Sequence, residues 1–313
     1  MDSAPPPAGK PGRGWPRAAS LFGVVLAVSV VQPGVLLAVP LLLLMGVRGV
    51  RRMALFAAAM IAVVVVLSGD RDGLWYAERA WALFVGGCFV GLTMAAPSWR
   101  LSSRTLGAVL GGTAVGAALL AARSDAWTAL DWAIGDSLRA GVTTTLDALA
   151  LVRGGESLSP AIVTAIYETA EAQAEVFPAM VALASMAALC VAWWVHTRLS
   201  GGGDQAIGPL RGFRFNDHLV WVLIGGLVLL VLRWGDALAR VGSNTVVFMG
   251  ALYALRGAAV FTFVSGGLSL LGYVLFALGL LVAPPVVLGV AMLIGIGDTW
   301  LDVRARASEE TTA

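Results

Sequence analysis

The stretch NTVVFMGALYALRGAAVFTFV, residues 244–264, is almost entirely apolar and has one arginine, Arg256, near its middle. A helix of about 20 apolar residues crosses the roughly 30 Å hydrocarbon core of a bilayer, so this stretch predicts a membrane-spanning helix. An ionised arginine inside a bilayer is costly unless its head reaches the interface or finds a partner. Arg256 is therefore the first candidate for a functional residue.

Composition extends the membrane prediction to the whole chain. Of the 313 residues, 58% are hydrophobic and 13% are charged, and the mean hydropathy is +0.85. An ordinary soluble domain is about 45–50% apolar and about 25% charged. The arginines are spread between apolar runs and form no basic patch, which predicts no nucleic-acid binding. We expect an all-α fold, a polytopic helical membrane bundle.

Arginine-rich flanks predict the orientation of the spans, because cytoplasmic loops carry an excess of basic residues. The first apolar run, 18–47, has arginines at both ends and a break at Gln32-Pro33-Gly34, which predicts a hairpin of two short helices. The last run, from 267 to beyond 290, is broken at Pro284-Pro285 in the same way. The other predicted spans are residues 53–68, 74–96, 105–122, 177–195, 218–232 and 244–264.

This accounting gives about eight to ten transmembrane helices with both termini cytoplasmic. Heavy use of Ala, Gly and Val, with arginine in place of lysine, favours a bacterial protein, so we expect the inner membrane. One integral membrane domain is predicted over residues 18–303. A disordered basic tail at 1–17 precedes it, and a cytoplasmic tail at 304–313 follows it.

Residues 123–175 form the longest polar segment, with three arginines against eight carboxylates, which favours the outer face. Trp127, Leu130, Ile134 and Leu138 recur at helical spacing and predict an amphipathic helix at the interface or over the bundle. A second helix is predicted to start at Ser159-Pro160. Its acidic residues Glu168, Glu171 and Glu175 share one face, which is typical of a solvated helix surface, with a cation site as the alternative.

Glycine spacing predicts where helices touch, because small residues four apart let helix backbones approach closely in lipid. The pairs in the N-terminal half are Gly87 and Gly91, Gly107 and Gly111, and Gly112 and Gly116. On the Arg256 helix, Gly250 and Gly257 would admit a neighbour.

Residues that could carry enzyme chemistry are few. His196 and His218 are the only histidines, and neither has a metal-type partner, so no zinc site is predicted. The sequence contains no GxSxG and no GxxxxGK[ST] motif. Gly295-Ile296-Gly297-Asp298 resembles the GxGD motif of intramembrane aspartyl proteases and prepilin peptidases, but that chemistry needs a second carboxylate, and no other aspartate lies in an apolar core. We predict no enzyme activity, no cofactor and no metal.

Three roles are open for Arg256. Its head can snorkel toward the cytoplasm, it can form an ion pair with Asp298 or Asp217, or it can hold a solute or ion. Tyr253 lies three residues before it on the same helix face.

Three stretches of the C-terminal half resemble a known family: RGFRFNDHLVWVL (211–223), NTVVFMGALYALRGAAVF (244–261) and GIGDTWLDVRAR (295–306). Over residues 177–306 their order and spacing are similar to those of the YybS-like bacterial membrane proteins, family 2232 of unknown function. Asn244, Tyr253 and Gly257 match the family's central helix, and Asp298 and Arg304 match its closing pattern. At Arg256 the family often has an uncharged polar residue.

That family is distantly similar to the substrate-binding membrane subunits of energy-coupling-factor transporters, which bind a solute and rely on separate ATPases. The resemblance implies a component that binds or transports a small solute without its own ATPase. Its partners would be the lipid bilayer, the solute and a membrane or ATPase protein. The candidate site residues are Asn244, Tyr253, Arg256, Asp298 and Asp217. The alternative is a non-transporting scaffold or assembly partner for another envelope protein, which would dock through the acidic outer segment.

Overall fold

A computed structural model describes residues 32–48, 53–69, 71, 73–123, 125–152, 159–201, 210–232, 234–265, 270–304 and 306. These residues form eleven α-helices and no strand, so the all-α prediction is confirmed. The helices are α1 (Pro33–Arg48), α2 (Met53–Leu67), α3 (Gly73–Ala95), α4 (Leu101–Ala121), α5 (Ala126–Val152), α6 (Pro160–Glu175), α7 (Phe177–Leu199), α8 (Val220–Leu232), α9 (Asp236–Val264), α10 (Leu270–Val282) and α11 (Pro284–Leu301). Two short 3-10 turns, Leu210–Gly212 and Asp217–Leu219, lie between α7 and α8.

Four of these helices, α4, α7, α9 and α11, are long and apolar enough to cross a membrane. Shorter apolar helices occur at Gly34–Val47, Phe56–Leu67 and Asp217–Leu232. The chain is therefore a multi-pass integral membrane protein built as a helical bundle. How many of the shorter helices cross the bilayer completely stays a prediction.

Proline positions set two of the helix starts. Helix α1 begins at Pro33, at the predicted break, and the first half of the predicted hairpin lies outside the described residues. Helix α11 begins with Pro284 and Pro285, because proline fits the first helical turn, where its missing N–H has no partner to lose. Helix α9 begins at Asp236, well before the predicted start at Asn244, directly after Gly235, whose φ of 129° breaks the chain direction.

Two of the clusters of buried side chains, one in each half of the chain, show how the helices are held together. In the N-terminal group, Leu44 of α1, Phe89 of α3, Val109 of α4 and Leu189 of α7 pack into one cluster. The C-terminal group joins α8 and α9 with α11, which contributes Met292 and Ile296. The second group positions the residues predicted to form the site.

Arginines from three segments meet at one end of the bundle, named here the basic end. Arg214 Nη2 donates to Asp302 Oδ1 at 3.0 Å, and Arg304 Nη1 donates to the carbonyl of Phe213 at 3.0 Å. Ser102 at the start of α4 donates to the carbonyl of Arg214 at 3.4 Å. These loops were predicted to share one side of the membrane, and they lie together. That this side is cytoplasmic stays a prediction.

Glycines of α4 make the predicted close contact with α3. A Cβ at Gly112 would lie 2.6 Å from Val85 Cγ2, and one at Gly111 would lie 3.0 Å from Cys88 Sγ. Gly87 and Gly91 do not make such a contact, since a Cβ at either position would have no described atom within 4 Å. The predicted close contact of this pair is therefore not observed among the described residues.

The polar segment 123–175 forms α5 and α6, at the end opposite the basic end. Arg240 Nη2 of α9 donates to Asp131 Oδ1 of α5 at 2.6 Å, which ties the segment to the bundle. The three glutamates of α6 are exposed, as expected for a solvated helix face. Within the described residues, no group of His, Cys, Asp or Glu side chains could hold a metal ion.

Sequence patterns gave no sign of a second buried arginine, Arg79, in the first turns of α3. Its Nε donates to the carbonyl of Val66 at 2.8 Å and its Nη2 donates to that of Ser68 at 2.6 Å. Its guanidinium also lies 3.9 Å from the ring centroid of Trp75. Arg79 thus caps the C-terminal end of α2, whose last carbonyls have no partner within the helix.

Replacing Arg79 with methionine should lower the free energy of unfolding by about 2–4 kcal/mol, because charge-assisted hydrogen bonds to buried carbonyls are lost. Arg79→Lys should also lose most of this free energy, since the ammonium group of lysine cannot donate hydrogen bonds in the fixed planar geometry of a guanidinium group. Thermal unfolding in detergent measures the stability of both variants. Arg71→Met is the matched control, because Arg71 is exposed in the loop just before α3. Equal melting temperatures for the Arg79 and Arg71 variants would refute the capping role.

Candidate functional site

The site is built where α9 and α11 cross in backbone contact. A Cβ at Gly257 would lie 1.7 Å from the carbonyl oxygen of Ala291, and one at Gly295 would lie 2.0 Å from that of Tyr253. Only glycine fits at these two positions. The predicted role of Gly257 in admitting a neighbour is thereby explained, and the crossing brings Arg256 of α9 beside Asp298 of α11.

Arg256 forms ion pairs with both carboxylates that the sequence named as alternatives. Its Nε donates to Asp298 Oδ2 at 2.9 Å, and its Nη1 donates to Asp217 Oδ1 at 2.5 Å. Arg304 Nη2 donates to the same Asp298 Oδ2 at 2.8 Å. Two guanidinium groups thus face two carboxylates, and the charges balance.

Burial divides this network into an inner and an outer part. The side chains of Arg256 and Asp298 are 0% exposed, whereas that of Asp217 is 51% exposed. The snorkelling role is therefore not observed, because the head of Arg256 is enclosed by protein. Asp217 connects the enclosed charges to the solvent at the basic end.

The segment before α8 covers the network. The ring of Phe215 packs edge-on against Tyr253, with centroids 5.1 Å apart, and lies 5.5 Å from the Arg256 guanidinium. Arg304 Nη1 holds this segment by donating to the carbonyls of Arg211 at 3.3 Å and Phe213 at 3.0 Å. The arginine that pairs with Asp298 therefore also fixes the cover over it.

Four buried polar atoms of the network have unused hydrogen-bonding capacity. Arg256 Nη2, Arg304 Nε, Asp298 Oδ1 and the Tyr253 hydroxyl have no hydrogen-bond partner of good geometry in the part of the chain that the structure describes. Thr299 Oγ1 lies beside the Tyr253 hydroxyl and donates to the carbonyl of Gly295 at 3.5 Å. The same oxygen can accept from the Tyr253 hydroxyl, whose own lone pairs then stay unused. Buried polar groups nearly always have a partner, and ordered water or a ligand supplies it when protein does not.

Asn244 does not belong to this group. Its Oδ1 accepts from the backbone N–H of Ala179 at 2.9 Å, and its Nδ2 donates to the carbonyl of Glu175 at 2.8 Å. On one helix it lies about 18 Å from Arg256, at the opposite end of the bundle. Of the five candidate residues, the structure brings Tyr253, Arg256, Asp298 and Asp217 together, and Asn244 instead joins α9 to the turn between α6 and α7.

Two residues of the network had no site role in the sequence-based prediction. Arg304 was placed at the start of the C-terminal tail, yet it is 7% exposed and bonded to Asp298. Helix α11 ends at Leu301, and Asp302, with a φ of 39°, turns the chain back. No periodicity predicts a reversal by a single residue. Phe215 had no distinguishing signal beyond its place in the stretch that resembles the family.

These features define the class: a multi-pass helical membrane protein with a charge-balanced network enclosed in its C-terminal half. No protein family, no curated protein and no solved structure matches the chain. The resemblance to the YybS-like proteins therefore rests on the three motifs, and it stays a prediction.

Proposed function

We propose that the chain is a component of a bacterial inner membrane that binds or transports a small polar solute and has no ATPase of its own. The observation that carries the proposal is the set of fully buried polar atoms with unused hydrogen-bonding capacity, at Arg256, Asp298 and Tyr253. Ionisable residues inside a membrane domain are costly, so they are by default candidates for function.

The chemistry of these atoms favours a solute that both donates and accepts hydrogen bonds. Arg256 Nη2 is a donor, Asp298 Oδ1 is an acceptor, and the Tyr253 hydroxyl can do either. Asp217 is the half-exposed member of the network, so it would meet the solute first, at the basic end. A separate ATPase would supply energy for transport.

The proposal includes no enzyme activity. An aspartyl protease needs two carboxylates that share a proton. Asp298 instead accepts from two guanidinium groups, and no carboxylate contacts it among the described residues. The GxGD sequence therefore supports packing, through Gly295, and charge pairing, through Asp298.

Tyr253→Phe tests the proposal with the least disturbance, because the ring that packs on Phe215 is retained and only the hydroxyl is lost. We expect wild-type protein, extracted gently from its own membranes, to retain a non-lipid solute in native mass spectra. The variant should bind that solute about five- to tenfold more weakly, which corresponds to one hydrogen bond.

Tyr167→Phe is the control, since Tyr167 is an exposed tyrosine of α6. Both variants should fold and melt like the wild type. A wild-type protein free of any non-lipid adduct, or a solute bound equally by the two variants, would refute the solute site.

The second candidate is a membrane scaffold, and the exposed α5–α6 segment favours it. This segment presents the aromatic side chains of Trp127 and Trp132 and the acidic face of α6, away from the basic end. A stoichiometric protein other than an ATPase, bound equally to wild type and Tyr253→Phe, would support this candidate over the first.

A further inference from the structure

A cavity of about 290 Å³ opens at the basic end, between the start of α4 and the segment before α8. Its lining residues are Arg100, Ser103, Arg214, Phe215 and Asn216. The ring of Phe215 also packs on Tyr253 and Arg256, so it separates the cavity from the enclosed network. The cavity is thus a second site, and its role does not depend on the proposed function.

The cavity is positively charged. Arg100 makes no ion pair with any residue that the structure describes. Arg214 donates to Asp302 Oδ1 through Nη2, at 3.0 Å, and its other N–H groups stay available to a ligand. Arg100 and Arg214 carry two positive charges, and Asp302 carries one negative charge. One positive charge at the cavity therefore has no counter-charge among these residues.

Neutral donors complete the lining. The Asn216 Oδ1 accepts from the backbone N–H of His218 at 3.0 Å, which leaves the Nδ2 of Asn216 as a donor. The Ser103 hydroxyl lies in the first turn of α4, and no side chain caps that turn. Donors from two chain segments therefore converge on a cavity too small for a large organic ligand, since pockets for such ligands measure about 300–1,000 Å³.

The place of the cavity, at one end of a helix long enough to cross a membrane, favours an anion found at the membrane surface. Trp99, next to Arg100, is half exposed, and tryptophans of this kind sit at the level of lipid headgroups. The cavity lies at the end of a membrane-crossing helix, α4, where that boundary must fall. Guanidinium pairs recognise phosphate through paired, charge-assisted hydrogen bonds.

We propose that this cavity binds a phosphate group at the membrane surface, held by Arg100 and Arg214 and hydrogen-bonded by Ser103 and Asn216. The phosphate is that of an anionic lipid headgroup or of a free phosphate ion. Both present the same oxygens to the same donors, and the experiment separates the two sources.

The test uses the full-length protein and Arg100→Gln, because Arg100 has no described partner whose loss would disturb the fold. Arg123→Gln is the matched control, since Arg123 is exposed just beyond the other end of α4. In the lipid arm, native mass spectra compare retention of phosphatidylglycerol and phosphatidylcholine. In the ion arm, inorganic phosphate is titrated against the melting temperature in neutral detergent, with chloride at equal ionic strength as the reference.

We expect wild type and Arg123→Gln to bind the phosphate source equally, and Arg100→Gln to bind it about tenfold more weakly. A response confined to phosphatidylglycerol assigns a lipid headgroup, a response confined to inorganic phosphate assigns the free ion, and a response in both arms means that either source fits. Equal binding by all three proteins in both arms would overturn the proposal, as would equal weakening by the two arginine variants.

Discussion

Replacing Gly295 with alanine should strongly destabilise the protein. The new Cβ would lie 2.0 Å from the carbonyl oxygen of Tyr253. Because the obstacle is backbone, no rotamer change relieves the clash, and α9 and α11 must move apart. Overpacking of core side chains costs about 1–3 kcal/mol, so we expect a loss above about 3 kcal/mol and a fall in melting temperature of roughly 6–12 °C or more.

Gly297→Ala provides the control on the same helix, since a Cβ there would have no described atom within 4 Å. It should melt like the wild type or slightly higher, because alanine favours a helix over glycine by up to about 1 kcal/mol. Tryptophan fluorescence during heating in detergent measures both variants. If Gly295→Ala and Gly297→Ala melt together, the two helices are not in backbone contact.

Asp298→Asn and Asp217→Asn should differ sharply, although each removes a carboxylate bonded to Arg256. Asp298 is fully buried and accepts from two guanidinium groups, so its loss leaves two enclosed cations short of a counter-charge. Breaking a buried ion pair costs about 3–5 kcal/mol. Asp217 is half exposed, and water can replace it, so we expect a loss of at most about 1 kcal/mol.

Thermal unfolding at low and high salt checks this pair of variants. The Asp217→Asn effect should shrink as salt rises, because salt screens a half-exposed pair, and the Asp298→Asn effect should persist. A similar loss for the two variants would mean that the enclosed and exposed carboxylates contribute alike, contrary to the burial pattern.

Local signals predicted the fold well because they act within one segment. The helix starts at Pro33 and Pro284, the apolar runs and the helices of segment 123–175 each depend on neighbouring residues, and where the structure describes them they are confirmed as helices. The predicted span begins later than α9, which starts at Asp236, because the polar residues after Asp236 interrupt the apolar pattern. Their contacts with other helices, such as Arg240 to Asp131, stabilise them as helix.

The site was predicted only in part because it depends on contacts between distant segments. An unpaired charge is costly inside a membrane, and this cost indicated Arg256 as a candidate and Asp298 and Asp217 as its partners. Sequence spacing could not show that both carboxylates bind at once, or that Arg304 returns to Asp298 through the turn at Asp302. Arg79 was passed over for the same reason, since its acceptors lie at the end of the preceding helix.

The order of the four network charges along the chain has a consequence for biogenesis. Asp217 precedes Arg256 by 39 residues, so a carboxylate is already synthesised when the arginine enters the translocation machinery. Asp298 follows Arg256 by 42 residues, and Arg304 comes only 6 residues later. In the order of synthesis, a carboxylate therefore precedes each arginine of the network, so each of these two arginines is made after a potential counter-charge.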